Sequence, residues 1–237
     1  MNIKKNVIIL TMICVGCLLG NSYFKKNKRK RSVIAVQTLL HDRIEPIYQN
    51  YLKQIGLNEP PERFTLIALK AEKQLELWFE KGNKAYWVQS YPILAASGVS
   101  GPKLREGDRQ VPEGFYKMVW LNPNSDYHLS LKVDYPNDFD QKKAQQEGRT
   151  QLGGEIFVHG KAVSIGCVAI GDASIEELFY MTSKIGIQNS VFLGVPHDFR
   201  KKSIVQQDKI WLNELYQQLN DTLHQKYSPS FESRKRE

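Results

Sequence analysis

Cysteine is scarce in this chain: Cys14, Cys17 and Cys167 are the only three in 237 residues. That excludes a disulfide scaffold, and it leaves a single thiol once the first segment is set aside. Long apolar runs are missing too. The longest, Val7–Gly20 (VIILTMICVGCLLG), falls short of the ~20 residues of a membrane-spanning helix and matches the apolar region of a signal peptide. We find no internal repeat, and no low-complexity tract beyond one basic run. A hydrophobic fraction of 41% with 24% charged residues excludes wholesale disorder.

The net charge of +8 is also absent from the middle of the chain, where residues 63–196 carry 15 Lys and Arg against 15 Asp and Glu. The excess sits in the flanks, at Lys25–Arg31 (KKNKRKR), Arg200–Lys202 and Arg234–Arg236. No aromatic residues interleave with these runs, so they do not read as a nucleic-acid surface, and no nucleic-acid partner is expected. Residues 1–24 are expected to be a signal peptide or a membrane anchor. Against simple export, six positive charges follow the apolar run and two precede it, which the positive-inside tendency would hold on the cytoplasmic side. CVGC approximates a lipoprotein box, but Cys14 stands where leucine is usual.

Periodicity organises the rest. Val36, Leu40, Ile44, Ile47, Tyr51 and Ile55 recur at three- and four-residue steps, predicting an amphipathic helix disturbed at Pro46 and closed by Gly56. With the basic run it makes up a flanking segment, 25–62. From Phe64 the period shortens: FTLIALK, QLELWF, AYWVQSYPIL, GFYKMVWL, YHLSLKV, EIFVHG and CVAIG are short, rich in aromatic and β-branched residues, and separated by turn signals. The expectation is a mainly β domain with flanking helices, a sandwich or barrel-like sheet over 63–196. A helix should follow, capped by Ser174 with Glu177 completing a capping box and ending near Gly186. Residues 197–237 should hold a C-terminal amphipathic helix marked by Ile204, Trp211, Leu215, Leu219, Leu223 and Tyr227, and then a basic tail.

The chemistry concentrates in Val158–Asp172, VHGKAVSIGCVAIGD. A thiol attacks as thiolate, so Cys167 needs a base, and His159 eight residues earlier can serve if a strand end and a tight turn bring them together. Gly166 permits a turn whose backbone N–H groups, that of Cys167 included, can face a developing oxyanion. The carbonyl of Gly160 can accept the second imidazole N–H and set the tautomer. Taken alone, such a pair is more often unrelated, a buried cysteine near a histidine. Zinc is a weaker reading, because two ligands lack a third in any recognisable spacing, and neither a metal nor another cofactor is expected.

The surrounding residues resemble a known family. HGKAVSIGC followed by VAI is similar to the active-site signature of the YkuD-type L,D-transpeptidases, and lies nearest their YafK-like branch, in which the His–Cys interval is short. SGPKLREGDRQVPEGFY (100–116) and YHLSLKVDYPN (127–137) are similar to upstream blocks of that family. The resemblance implies a YkuD-like fold, with Cys167 as nucleophile, His159 as general base, Gly160 orienting it and Gly166 in the oxyanion turn. It implies acyl transfer on peptidoglycan stem peptides through a thioester, and hence a location in the periplasm or cell envelope, with the N-terminal segment at the membrane. Arg105, Asp108 and Arg109 are candidates for contacting a carboxylate-rich substrate, and Ser164 for holding the turn or for substrate contact. Ala169 stands where many members carry arginine. This leaves hydrolysis of the same bond, or of a lipoprotein–peptidoglycan linkage, as the alternative. A non-catalytic peptidoglycan-binding module is the alternative of another class.

Overall fold

The computed structural model describes residues 30–95, 101–164 and 166–228. Residues 1–24, expected to be a signal peptide or membrane anchor, lie outside the described residues, as do most of the first basic run and the C-terminal basic tail. From Ser32 onward the chain is one compact unit. It opens with α1 (Val33–Gln54), capped where the Ser32 side chain accepts the Ala35 N–H. Pro46 does not break this helix: its ring sits on the exposed side, while Val36, Leu40, Ile44, Tyr48, Tyr51 and Leu52 are buried.

Eight strands form one sheet: β1 (Arg63–Leu69), β2 (Gln74–Lys81), β3 (Lys84–Pro92), β4 (Gly114–Asn122), β5 (Ser130–Val133), β6 (Phe157–His159), β7 (Val168–Ala169) and β8 (Ser190–Val195). Their order is β3-β2-β1-β8-β4-β5-β6-β7. The segment after β3 then meets the far edge: Leu94 N–H donates to Ala169 O at 2.9 Å, and Ala169 N–H to Ala95 O at 3.3 Å. The sheet thus curls until the segment after one edge strand bridges the other edge, the barrel-like form expected from the strand pattern. β8 was not marked by the sequence reading, yet it is central, paired with β1 in parallel and with β4 antiparallel.

Alternation along the strands sends side chains into two layers. One face buries Phe64, Leu66, Leu75, Leu77, Phe79 and Phe192 against α1 and against α3 (Asp172–Ile185). The other buries Ile67, Leu69, Trp78, Leu193 and Val195 against Leu212, Leu215, Tyr216, Leu219 and Leu223 of α4 (Ile210–Lys226). Each aliphatic side chain of this size contributes about 1.5–3 kcal/mol on burial, so both flanking helices are held as parts of the unit. A short helix, α2 (Asp138–Gln146), absent from the sequence reading, carries a capping box between Asn137 and Asp140.

The start of α3 differs from expectation. Gly171 at φ +83° is the N-cap and makes no side-chain capping bond, so Ser174 lies inside the helix rather than at its cap. The chain turns into the helix soon after β7, three residues earlier than the Ser–Glu spacing suggests, and Asp172 is left to bond the preceding loop instead.

Candidate active site

His159 ends β6 and Cys167 stands one residue before β7. These strands run parallel, with Val158 opposite Val168 and His159 opposite Ala169. The loop between them is therefore a crossover, not a hairpin return, and it sets the thiol beside the start of β6 while the imidazole sits at its end. The Cys167 thiol donates to Glu155 O at 3.6 Å. Both side chains open on one cleft of about 550 Å³, lined also by Lys103, Arg109, Tyr127 and Phe157.

The imidazole is buried and held on two sides. Its Nδ1 lies 2.6 Å from Gly160 O. A carbonyl can only accept, so Nδ1 carries the proton and Nε2 keeps its lone pair. The Tyr127 ring packs on it, centroids 4.6 Å apart. Position 160 has no room for a side chain: a Cβ there would sit 2.6 Å from Asp172 Oδ1 and 2.7 Å from Tyr127 O. Asp172 Oδ1 in turn accepts the Lys161 N–H at 2.8 Å, and Lys161 Nζ donates to Asp126 O at 2.5 Å. The loop is pinned at the point where it leaves the histidine.

At the other end Gly166 adopts φ +118°, a region that favours glycine. Ser164 clamps the backbone of Cys167: its hydroxyl donates to Cys167 O at 2.6 Å and accepts the Cys167 N–H at 2.9 Å. The Cys167 N–H, expected to face an oxyanion, is thus already engaged by Ser164.

Burial shifts both groups toward their neutral forms. It pushes the Cys167 thiol above its ordinary value, against the weaker opposing pull of the Phe157 N–H and the Lys103 ammonium. It holds the His159 imidazole below its ordinary value, with the Gly160 bond acting the other way.

The expected substrate contacts separate. Arg109, at φ +60°, lines the cleft. Arg105 lines an adjoining groove with Gly148 and Thr150. Asp108 faces inward: its carboxylate takes the Lys103 ammonium at 2.8 Å and the N–H groups of Leu104, Arg105 and Gln110. Burial alone would raise that carboxyl, but these partners together hold it below the usual range. Asp108 therefore organises the loop that carries both arginines. His128 pairs with Glu176 at 2.6 Å, and among the described residues no three His, Cys, Asp or Glu side chains converge as metal ligands.

The sequence reading missed Lys103, a cation buried in the cleft wall, and the packing of Tyr127 on His159. Both fall in the two upstream blocks quoted above, which was their only signal. It missed Lys70 as well. From the turn after β1, Lys70 donates to Gly101 O, Val111 O and Glu113, so it secures the segment that forms this wall.

Residues 63–191 match the YkuD family, described as the L,D-transpeptidase catalytic domain. The chain is 29% identical over 183 residues to the proteins provisionally named L,D-transpeptidase YafK in Escherichia coli K12 and O157:H7, covering 74% of this chain and 63% of each of theirs. It thus spans less than two thirds of the length of these relatives. Among solved structures, the helical cell shape determining protein Pgp2 of Campylobacter jejuni is 20% identical, with a TM-score of 0.47 over 63% of this chain and 55% of that one. Bd1075 of Bdellovibrio bacteriovorus is 19% identical, with a TM-score of 0.43 over 68% of this chain and 56% of the other.

Proposed function

The chain belongs to the YkuD family of L,D-transpeptidase catalytic domains, and on that premise we propose that it is a cysteine-dependent acyltransferase acting on peptidoglycan stem peptides in the cell envelope. The observation that carries the reading is the shared cleft: a lone thiol and an imidazole of set tautomer open into it together. His159 Nε2 takes the thiol proton as Cys167 Sγ attacks the carbonyl of an L-centre followed by a D-residue. The C–N bond breaks, the imidazolium returns its proton to the departing amine, and a thioester remains. An acceptor amine then attacks, loses its proton to His159 and displaces the thiolate; water in its place gives hydrolysis. Because both groups rest neutral, the thiolate forms only as the proton moves. The Ser164 clamp on the Cys167 backbone keeps the sulfur in place through both steps. The leader is the element that would carry the domain out of the cytoplasm.

The test uses the full-length chain beside its Cys167→Ala variant, each incubated with tetrapeptide muropeptides and with lipoprotein-linked peptidoglycan, with products read by mass spectrometry. New dimers joined between two diaminopimelate residues are expected from the wild type and none from Cys167→Ala. Shortened monomers or released lipoprotein without dimers would assign hydrolysis. Unchanged substrates with both proteins, together with retained binding to peptidoglycan, would leave only a binding module.

A further inference from the structure

The sheet face that bears His159 continues beyond the cleft as an exposed aromatic ledge. Trp120 pairs with Lys132 across β4 and β5, and Lys132 with Phe157 across β5 and β6, so the three form one row. The next row, two residues along each strand, is Asn122, Ser130 and His159. Residues two apart on a strand share a face, so both rows look the same way. The side chains agree. The Trp120 and Phe157 rings meet edge to face with centroids 6.5 Å apart, and Lys132 Nζ lies 5.7 Å from the Phe157 centroid. Lys132 also pairs with Glu155. A break in the β4–β5 register beside Trp120 leaves both Val119 and the indole exposed, the latter at 48%. Asn122, Glu155 and Phe157 line the cleft itself, so ledge and cleft are continuous.

We propose that this ledge is a saccharide subsite, taking a pyranose ring of the glycan strand from which the stem peptide hangs. The inference rests on the peptidoglycan reading above and adds the sugar to it. A single exposed tryptophan needs no explanation. Here, however, an indole braced by a second ring is flanked by a cation and a carboxylate. A pyranose presents the complement, an apolar C–H face with a rim of hydroxyls that donate and accept. The spacing also fits. From β4 to β7 the sheet crosses three strand intervals of ~4.8 Å, which puts Trp120 roughly 14 Å from the nucleophile's strand. In a stem peptide, three residues and an ether-linked lactyl group separate the attacked carbonyl from the sugar. At 3.3–3.6 Å per extended unit these four units span roughly 13–14 Å.

The test measures D-alanine release, common to transfer and hydrolysis, from a disaccharide-tetrapeptide and from the sugar-free tetrapeptide, using the full-length chain. The wild type is expected to show a KM about ten-fold lower for the disaccharide substrate. Trp120→Ala should remove most of that preference, and Trp120→Phe should restore part of it. Equal KM values in the wild type, or an equal loss on both substrates in Trp120→Ala with normal folding, would overturn the proposal. A second arm is independent of catalysis: co-sedimentation of Cys167→Ala with peptide-free glycan strands. Binding that Trp120→Ala abolishes would support the ledge even if neither substrate turned over, which would count against the proposed reaction alone. Absence of glycan binding would count against the ledge. Light scattering closes the remaining route: a dimer that Trp120→Ala converts to monomer would assign the ledge to a second copy of the chain and overturn the saccharide assignment.

Discussion

The ionic groups beneath α4 and the Cys167–His159 pair in the cleft are handled in opposite ways. Beneath α4 the charges are buried and paired. Arg200 donates to Glu76 at 2.8 Å and to Asp198 at 2.7 Å, and Trp78 adds its N–H to Glu76. Glu80 accepts from Thr65, Lys226 and the Tyr227 hydroxyl, at 2.6–2.8 Å. In the cleft, by contrast, burial favours the neutral thiol and the neutral imidazole, and the thiol donates to Glu155 O only at a long 3.6 Å. Buried ionic networks hold elements in place and are costly to break. Groups that must gain or lose a proton instead have their pKa values shifted by burial and by their neighbours. The contrast separates docking from chemistry by physical criteria rather than by position in the chain.

Substitutions in each region should separate the two accordingly. The largest expected effect is that of His159→Gln, which should lower kcat/KM for thioester formation by about 10³-fold, within the range for losing a general base. Its melting temperature should stay near that of the wild type; parallel stopped-flow and thermal unfolding would check both. Arg200→Ala should do the reverse. It strands Glu76 and Asp198 without their shared cation and should cost about 3–5 kcal/mol of stability, read by urea unfolding, while the folded enzyme keeps its kcat. If Arg200→Ala lowered kcat instead, the two regions would be coupled, and the route would run through Glu113, which bonds both Lys70 and the Tyr216 hydroxyl of α4.

Smaller effects probe the cleft itself. Ser164→Ala removes both clamp bonds on Cys167 and should lower kcat by about ten-fold, equivalent to roughly 1.4 kcal/mol, with KM little changed in steady-state assays. It also frees the Cys167 N–H for an oxyanion, so a rise in kcat would mean that the clamp obstructs rather than positions. The smallest effect is in the pH profile. The imidazole must be neutral to act as base and burial lowers its pKa, so it stays neutral to more acid pH. The acid limb of kcat/KM should then fall below about 6.5, the ordinary value. The thiol is shifted the other way, so alkylation of Cys167 in the free enzyme should have its midpoint above the usual ~8.5. An alkylation midpoint near neutrality would show a preformed thiolate–imidazolium pair instead.

Much of the fold was legible because it is written in local periods. The seven strand segments from FTLIALK to CVAIG alternate or run apolar, and each appears as a strand. The misses have local causes too. β8 (SVFLGV) is a buried apolar stretch without alternation, which periodicity cannot distinguish from a connector. α2 (DFDQKKAQQ) has one buried residue, Ala144, so it shows no apolar stripe to read. For α3 the Ser174 capping signal was sound chemistry in the wrong place, because the approach from β7 makes Gly171 the N-cap and starts the helix at Asp172.

For the site, the residue types and their order lay in the sequence: a single thiol outside residues 1–24, a histidine eight residues before it, and a glycine beside each of them. These are properties of neighbours along the chain, set by sterics and by the chemistry of each side chain. The tertiary structure decided what they face. The parallel pairing of β6 with β7 set the thiol at the start of one strand and the imidazole at its end. Burial fixed the direction of both pKa shifts, and the registers of β4, β5 and β6 aligned Trp120 with the cleft. Pairing and burial arise from contacts between segments far apart in sequence, and no local pattern encodes which strand lies beside which or how deep a group will sit.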